Sequence, residues 1–285
     1  DAAGEIGFLA MDLSYRGHDD LSERLLRRYA DAADDYELYW VVDFYQSQRA
    51  VVRAKVATIA SADSALGWGQ RHAAEQSAKR HLAFAEKILR TRSCGSVTLL
   101  CGKVGTGKST AADFLANLCG GIVVSSDHLR KELAGLPPSA RVTAVTDVGL
   151  YSPQQRSAIY EAMLERAAPV VASGRMALLD ASFNTVVRRD RVRRWASERN
   201  VPVLLIEVEC KEETTLDRLA KRQAAGGSAS EAGPEFYATS VARFEPPVEW
   251  PRGARVQLRT DRPGWRVDLR RKLRSWRRRS RRLLG

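Results

Sequence analysis

The chain is 285 residues long, 44% hydrophobic, and carries a formal charge of +12. That is enough for one large or two small domains with a proper core, and the lack of any run of 18 apolar residues excludes a membrane-spanning helix. The charge is localised: residues 262–285 hold eleven Arg and Lys against one acid, Asp268, and so carry +10, leaving +2 for the rest. Electrostatic attraction to nucleic acid or anionic lipid therefore has to come from that tail.

The chain opens on Asp1 rather than Met, as expected of a piece or a processed form of a longer chain, and no secretory pattern is read at its start. Its four cysteines, Cys94, Cys101, Cys119 and Cys210, form no CxxC pair, which fits buried thiols in a reducing cytoplasm. Residues 1–92 read as helices only. Ile6, Leu9 and Leu13 fall on one face. Leu21, Leu25, Tyr29 and Ala32 form a second stripe, and Leu38, Val41, Tyr45, Val52, Val56 and Ile59 a third. Asp20 or Ser22 is the expected cap of the second helix, with Glu23 in its first turn. Tyr36, Tyr39, Trp40, Phe44 and Tyr45 crowd together, which reads as a packed helical core in preference to an aromatic ligand box. A further helix spans roughly 70–90, and the small polar stretch Thr91-Arg92-Ser93-Cys94-Gly95 marks the domain boundary.

From residue 96 the pattern changes to short apolar runs alternating with helical ones. Strands are predicted over 96–101, 121–125, 176–181, 203–208 and 255–259, with helices between most of them. That alternation argues an α/β parallel sheet with helices on both faces. Pro137-Pro138 marks a loop after the second strand, and Gly226-Gly227-Ser228 breaks a helix pair. The first strand (Val97, Leu99, Leu100, Cys101) runs into Gly102-Lys103-Val104-Gly105-Thr106-Gly107-Lys108-Ser109-Thr110, a complete phosphate-binding loop. A helix follows, with Ala111, Ala112, Phe114, Leu115 and Leu118 at helical spacing. Strand, loop, helix is the order the chemistry needs: successive backbone N–H groups converge at a helix N-terminus, where a phosphate is favoured. Gly105 and Gly107 permit dihedrals that a β-carbon forbids. Lys108 is expected to reach the β- and γ-phosphates of ATP, and Ser109 to hold Mg²⁺.

Ligands of open α/β sheets bind beyond the carboxyl ends of the strands. The second strand ends in Ser125-Ser126-Asp127. Asp127 has two readings: a carboxylate that takes the proton of an attacking hydroxyl, or the N-cap of a helix starting at His128. Arg130 on that helix is placed for an anionic substrate, while His128 and Lys131 read as surface residues. The third strand ends in Asp180-Ala181-Ser182-Phe183-Asn184. Asp180 either holds Mg²⁺ or closes a turn, and Asn184 either meets substrate or caps the next helix. Beyond the fourth strand, Arg218 and Arg222 lie four apart on one helix face. They either close over a triphosphate or form a solvated basic face. The run Arg188, Arg189, Arg191, Arg193 and Arg194 reads as solvent-facing. In the tail, Leu269, Leu273, Trp276 and Leu283 or Leu284 approximate one helical stripe. It is either a terminal helix packed on the sheet or a basic amphipathic helix docked on RNA, DNA or anionic lipid.

On the phosphate loop, Asp127, the LLDASF strand end and the RLAKR helix, residues 95–285 resemble the P-loop kinases of the gluconate kinase and phage polynucleotide kinase type. The resemblance implies a five-stranded sheet of order 2-3-1-4-5, ATP and Mg²⁺ as cofactors, Asp127 facing the acceptor hydroxyl, and Arg218 and Arg222 as lid arginines. It also puts Leu258–Pro263 near the adenine. Residues 1–13 and the VVDFYQSQRAVVRAKV stretch are similar to the last helices of an aminoglycoside phosphotransferase-like domain, as in bacterial proteins joining such a domain to a C-terminal P-loop ATPase. No HGD-type catalytic loop is present, so no phosphotransferase activity is assigned to residues 1–92. The expectation is an ATP-dependent kinase with Lys108, Asp127, Arg218 and Arg222 catalytic, Gly102–Thr110 on the nucleotide, and Ser109 and Asp180 on the metal. Its acceptor is a hydroxyl of a small molecule or a nucleic-acid end. The alternative is a nucleotide-binding regulatory ATPase module.

Overall fold

The computed structural model describes residues 1–90, 94–136, 153–225 and 233–284. The predicted features at Thr91–Ser93, Pro137-Pro138 and Gly226–Ser228 lie outside the described residues. The chain divides into two compact units, Asp1–Gly95 with Ala172–Arg175, and Ser96–Val171 with Met176–Gly285. Among the described residues no helix is long and apolar enough to cross a membrane.

The first unit holds helices α1 (Ala2–Tyr15), α2 (Asp19–Ala33), α3 (Leu38–Ala62) and α4 (Trp68–Arg90). The Asp1 carboxylate accepts from Ala3 N at 2.9 Å and satisfies one of the orphan donors at the start of α1. The buried faces differ from the predicted stripes. α1 buries Ala3, Gly4, Gly7, Ala10 and Met11 and leaves Leu9 exposed. α2 buries Ser22, Leu26 and Ala30, with Leu21 exposed. α3 buries Tyr39, Val42, Ser47, Ala50 and Ala54, and turns Val41, Val52, Val56 and Ile59 outward. Close packing is the reason. A β-carbon at Gly7 would stand 3.3 Å from Tyr45 Cβ and 3.6 Å from Val42 O, so the bare backbone of α1 at Gly7 is what lets it approach Val42 and Tyr45 of α3. Tyr36 and Tyr39 join the core, but Trp40 and Phe44 are exposed, so the aromatic cluster is split between two faces. Neither Asp20 nor Ser22 caps α2. The cap position is His18, without a side-chain bond, and Ser22 lies inside the helix, donating its hydroxyl to Ala10 O at 2.8 Å.

The second unit is built on β1 (Ser96–Cys101), β2 (Ile122–Ser125), β3 (Met176–Asp180), β4 (Val203–Glu209) and β5 (Arg255–Arg259). They form one five-stranded parallel sheet of order β2-β3-β1-β4-β5, the order expected. Its helices are α5 (Lys108–Cys119), α6 (Ser126–Leu133), α7 (Pro153–Ala172), α8 (Val186–Glu198), α9 (Glu212–Ala225), α10 (Glu235–Ala242) and α11 (Trp265–Leu284). The register sets Ser125 and Leu100 beside Asp180, so the ends of β1, β2 and β3 finish together. One face of the sheet is sealed by α5 and α11. Ala112 and Leu115 from α5 and Leu269, Leu273 and Trp276 from α11 share a core with Leu100, Leu178, Ile206 and Leu258. Each fully buried large side chain there stabilises the fold by roughly 1.5–3 kcal/mol. By the two-residue period of a strand, the fully buried Val97, Leu99 and Leu205 serve the other face. The stripe Leu269, Leu273, Trp276 is therefore a packing seam; the side chains of Leu283 and Leu284 lie outside the described residues. Cys101 is buried, Cys119 and Cys210 are half-buried, and Cys94 is exposed, so the expectation of buried thiols fails at Cys94.

Candidate active site

The crevice beyond the carboxyl end of β1, where strand order reverses, is where such a sheet takes its ligand. Gly102–Gly107 fills it. Gly105 and Gly107 have φ of 73° and 92°. A β-carbon at Gly105 would come within 2.8 Å of Leu219 and 2.9 Å of Thr215 on α9. Bare backbone there is a packing requirement as well as a dihedral one. The loop is braced from distant points. Val104 N donates to Ser240 Oγ of α10 at 2.9 Å, and Gly102 N to Ser182 O at 3.2 Å. Thr260, just past β5, donates its hydroxyl to Thr106 O at 2.7 Å. Lys108 folds back and donates Nζ to Gly102 O at 3.0 Å and Lys103 O at 2.7 Å. Burial pushes its ammonium down, against the opposing charges of Asp180 and Asp127.

Asp180 is buried at the end of β3. Burial pushes its carboxyl up to about 6, despite a hydrogen bond from Ser109 and the charge of Lys108. A hydroxyl and a buried carboxylate joined at the phosphate loop are hard oxygen donors with negative charge to spare, a set that fits Mg²⁺. Among the described residues no group of three or more His, Cys, Asp or Glu forms a metal cluster. A nucleotide-bound Mg²⁺ needs only one or two protein oxygens beside phosphate and water.

The N-cap of α6 is Ser125, whose Oγ accepts from Asp127 N at 3.3 Å and His128 N at 3.5 Å. Capping therefore does not account for Asp127, which sits in the first turn. Its carboxylate accepts from Arg130 Nη1 at 2.5 Å, and its charge acts on Lys108, Asp180 and Arg222. Burial pushes the Arg222 guanidinium down, and Asp127 offsets this. Arg218 faces the same cleft but is engaged, donating to Thr260 Oγ1 at 2.9 Å and Thr260 O at 3.1 Å. The cleft holds about 660 Å³. Val104, Gly105 and the run Gly107–Thr110 line it together with Asp127, Asp180, Arg218 and Arg222; Gly102, Lys103 and Thr106 stand outside its walls.

Several expectations change. Arg189 is not solvent-facing but fully buried. It donates to Glu249 Oε1 at 2.6 Å, Phe183 O at 2.9 Å and Glu245 O at 2.9 Å, because a guanidinium inside the fold needs all its donors matched. Arg188 lines the cleft, while Arg193 and Arg194 are exposed as expected. Lys131 is buried rather than at the surface. Asn184 does not cap α8. Thr185 holds the cap position, and Val186 N donates to Glu245 Oε2 at 2.6 Å. Ser240 and Tyr160 also belong to the site and have no place in the sequence reading; Thr260, which lines the cleft, enters that reading only within the strand end Leu258–Pro263. Thr260 had the signal of a strand end; Ser240 and Tyr160, on helices remote in sequence, had none.

Residues 97–247, just over half of the chain, match the AAA domain family. The uncharacterized proteins Rv2004c of Mycobacterium tuberculosis and Mb2027c of Mycobacterium bovis are each 33% identical over 256 residues, 90% of this chain and 49% of theirs. The chain thus spans about half the length of the curated relatives it matches. Similar solved structures include a gluconokinase from Sinorhizobium meliloti 1021, with 21% identity over 68% of this chain and 97% of that chain and a TM-score of 0.47. Another is the APS kinase CysC of Mycobacterium tuberculosis, with 16% identity over 63% of this chain and 98% of that chain and a TM-score of 0.44. The family match runs from β1 to beyond α10 and includes the phosphate loop, and on it the chain belongs to the AAA domain family.

Proposed function

We propose that the domain is an ATP-dependent kinase that transfers the γ-phosphoryl group of ATP to a hydroxyl of an acceptor. The observation that carries this reading is the convergence of Asp127 on the nucleotide site, where its carboxylate shares one cleft with Lys108, Asp180 and Arg222 and acts on all three. In this reading the acceptor oxygen attacks the γ-phosphorus, its proton passes to Asp127, and the bond to the β–γ bridging oxygen breaks, releasing ADP. Lys108 binds the β- and γ-phosphates and, with Arg222, neutralises charge on the transferring group. Arg218 acts as a positioning residue, holding Thr260 against the loop. Ser109 and Asp180 would hold Mg²⁺, which supplies further charge neutralisation on the phosphates when bound.

The test is transfer of label from γ-labelled ATP to a panel of sugars, nucleosides, aminoglycosides and 5′-hydroxyl oligonucleotides. Label on one acceptor class supports the kinase. ATP hydrolysis with no label on any acceptor marks a regulatory ATPase module instead.

The outer side of α11 supports a separate proposal, contact with the phosphates of a nucleic acid. Arg270, Arg271, Arg274, Arg278 and Arg279 line an exposed groove there, while Leu269, Leu273 and Trp276 are taken up by the core. A membrane-surface helix needs its apolar face for the bilayer. Here that face is buried, and positive charge is what remains for a partner. Residues 1–92 are read, on sequence resemblance, as closing helices of an aminoglycoside phosphotransferase-like domain with no phosphotransfer of their own. Free thiols fit the cytoplasm as the site of action.

A further inference from the structure

Seven cationic side chains line the cleft against two carboxylates, Asp127 and Asp180, among the described residues. Several of the cations are committed. Lys108 lies in the phosphate loop, Arg218 is tied to Thr260, and Arg130 is paired with Asp127. Arg188 differs. Its supports are neutral: Nη1 donates to Asn184 Oδ1, and the guanidinium lies 5.0 Å from the centroid of the Tyr160 ring. Among the described residues it makes no ion pair. A half-buried cation stacked on an aromatic face and steered by an amide presents an oriented fork of N–H donors.

The station around it is tied together by contacts. Tyr160 OH and Ser182 Oγ are 3.4 Å apart, and the Tyr160 ring meets Phe183 edge-on at 5.2 Å. Phe183 is fully buried at a φ of 42°, a left-handed conformation that a bulky residue holds only where its surroundings over-determine it. Ser182 and Asn184 flank it, and both line the cleft. Asn184 is fixed in turn, its main-chain carbonyl accepting from Glu245 N at 2.8 Å and its side-chain Nδ2 donating to Arg243 O at 3.4 Å. These residues come from α7, the β3–α8 connection and α8, and of them only Ser182 also braces the phosphate loop, its main-chain carbonyl accepting from Gly102 N at 3.2 Å. They face the cleft that Asp127 also lines.

We propose that the acceptor is an anionic alcohol, a hydroxyl compound carrying a phosphate or carboxylate group, and that Arg188 receives that anion. The inference rests on the kinase reading of the same cleft. The Arg188 fork matches two oxygens of a carboxylate or phosphate, Tyr160 supplies an apolar wall, and Ser182 and Asn184 are positioned to meet hydroxyls. With the anion fixed there, the acceptor's hydroxyl is turned toward Asp127.

The test is calorimetric titration of the 285-residue chain, saturated with AMPPNP and Mg²⁺, with matched compounds. The panel is glycerol, glycerate and glycerol 3-phosphate; glucose, gluconate and glucose 6-phosphate; and adenosine and AMP. The expected result is that an anionic member binds at least about tenfold tighter than its neutral partner. Arg188→Gln should then lose about tenfold of that affinity, roughly 1.4 kcal/mol, and Arg188→Lys should recover part of it. The carboxylate and phosphate members tell which anion is preferred. AMPPNP affinity, measured on each variant, controls for an intact phosphate loop. Tyr160→Leu, which removes the ring under Arg188, provides a second variant with the same expected direction. Neutral members binding as tightly as anionic ones, anionic binding unmoved by Arg188→Gln and Tyr160→Leu, or no anionic member binding at all would overturn the inference. Label transfer to the bound member separates the two readings. Arg188-dependent anion binding without transfer keeps the subsite and sinks the kinase. Transfer to a neutral alcohol independent of Arg188 keeps the kinase and sinks the subsite.

Discussion

The Thr260 hydroxyl donates to Thr106 O at 2.7 Å, tying the residue after β5 to the middle of the phosphate loop across 154 positions of sequence. The same hydroxyl accepts from Arg218 at 2.9 Å and stands 3.3 Å from where a β-carbon on Gly107 would lie. Thr260→Val keeps the shape and removes the tie. ATP affinity should fall about fivefold to tenfold, the scale of one net hydrogen bond of about 1–1.5 kcal/mol, with the fold retained by circular dichroism. Calorimetric titration with ATP and Mg²⁺ checks this. Unchanged affinity would mean the loop keeps its shape without Thr260.

Lys108 is held by two loop carbonyls, and burial disfavours its charge. Lys108→Ala should therefore leave the melting temperature of the nucleotide-free chain equal to or above wild type, because a costly buried ammonium is gone. ATP binding should weaken by tenfold or more and turnover should vanish. A drop in melting temperature with ATP affinity intact would make Lys108 a structural residue rather than a phosphate ligand.

The pair Arg189–Glu249 yields a stability prediction with a definite pH dependence. Burial raises the Glu249 carboxyl, but the hydrogen bonds and charge of Arg189, with a main-chain hydrogen bond and the charge of Arg193, together outweigh it and hold the carboxyl below the ordinary glutamate range. A lowered folded value means the pair's stabilisation is fully present above the ordinary value of about 4.3 and is lost as the pH falls through the folded one. Glu249→Ala leaves a fully buried guanidinium without its counter-charge and should cost about 3 kcal/mol at pH 7. That is the low end for a broken buried pair, since the carboxylate keeps 20% exposure. Denaturant melts of wild type and variant should converge as the pH drops below about 4. A gap that is constant with pH would contradict the ion-pair account.

The sheet and the phosphate loop were legible because each has a local cause. A parallel strand buried on both faces reads as an apolar run, as in Val97–Cys101 or Val203–Ile206, and the loop demands glycine at fixed offsets. The candidate site was legible where it follows strand ends, at Asp127 and Asp180. It was hidden where its parts arrive from far along the chain, as with Ser240 on Val104 or Tyr160 under Arg188. The RRDRVRR run illustrates the limit. Composition makes all its arginines alike, and only the helix phase of α8 sends Arg189 inward to Glu249 and Arg188 into the cleft. In α3 the predicted stripe follows the large side chains, whereas the packed face continues from Leu38, Tyr39 and Val42 through Gln46, Ser47, Ala50 and Ala54, and Val52, Val56 and Ile59 stay exposed.

Deleting residues 274–285 would strip Trp276 from the core, so the charge on α11 is better tested by substitution. Arg270, Arg274 and Arg278 all lie on the exposed groove. Changing the three to Gln should reduce oligonucleotide binding and lower the slope of log affinity against log salt by up to about 0.9 for each phosphate no longer neutralised. ATP affinity should not move. A wild-type chain that shows no retention on heparin at low salt would rule out the nucleic-acid proposal and leave α11 purely structural.

The central claim, that Asp127 serves phosphoryl transfer, is tested most directly by the transfer rate of Asp127→Asn under saturating ATP and acceptor. The variant keeps the shape and the first-turn position in α6 while losing the ability to take a proton. The account predicts ATP affinity within about twofold of wild type and a transfer rate lower by about 10²-fold or more, the scale of a positioned general base. Transfer at the wild-type rate, with ATP bound equally well, would contradict it.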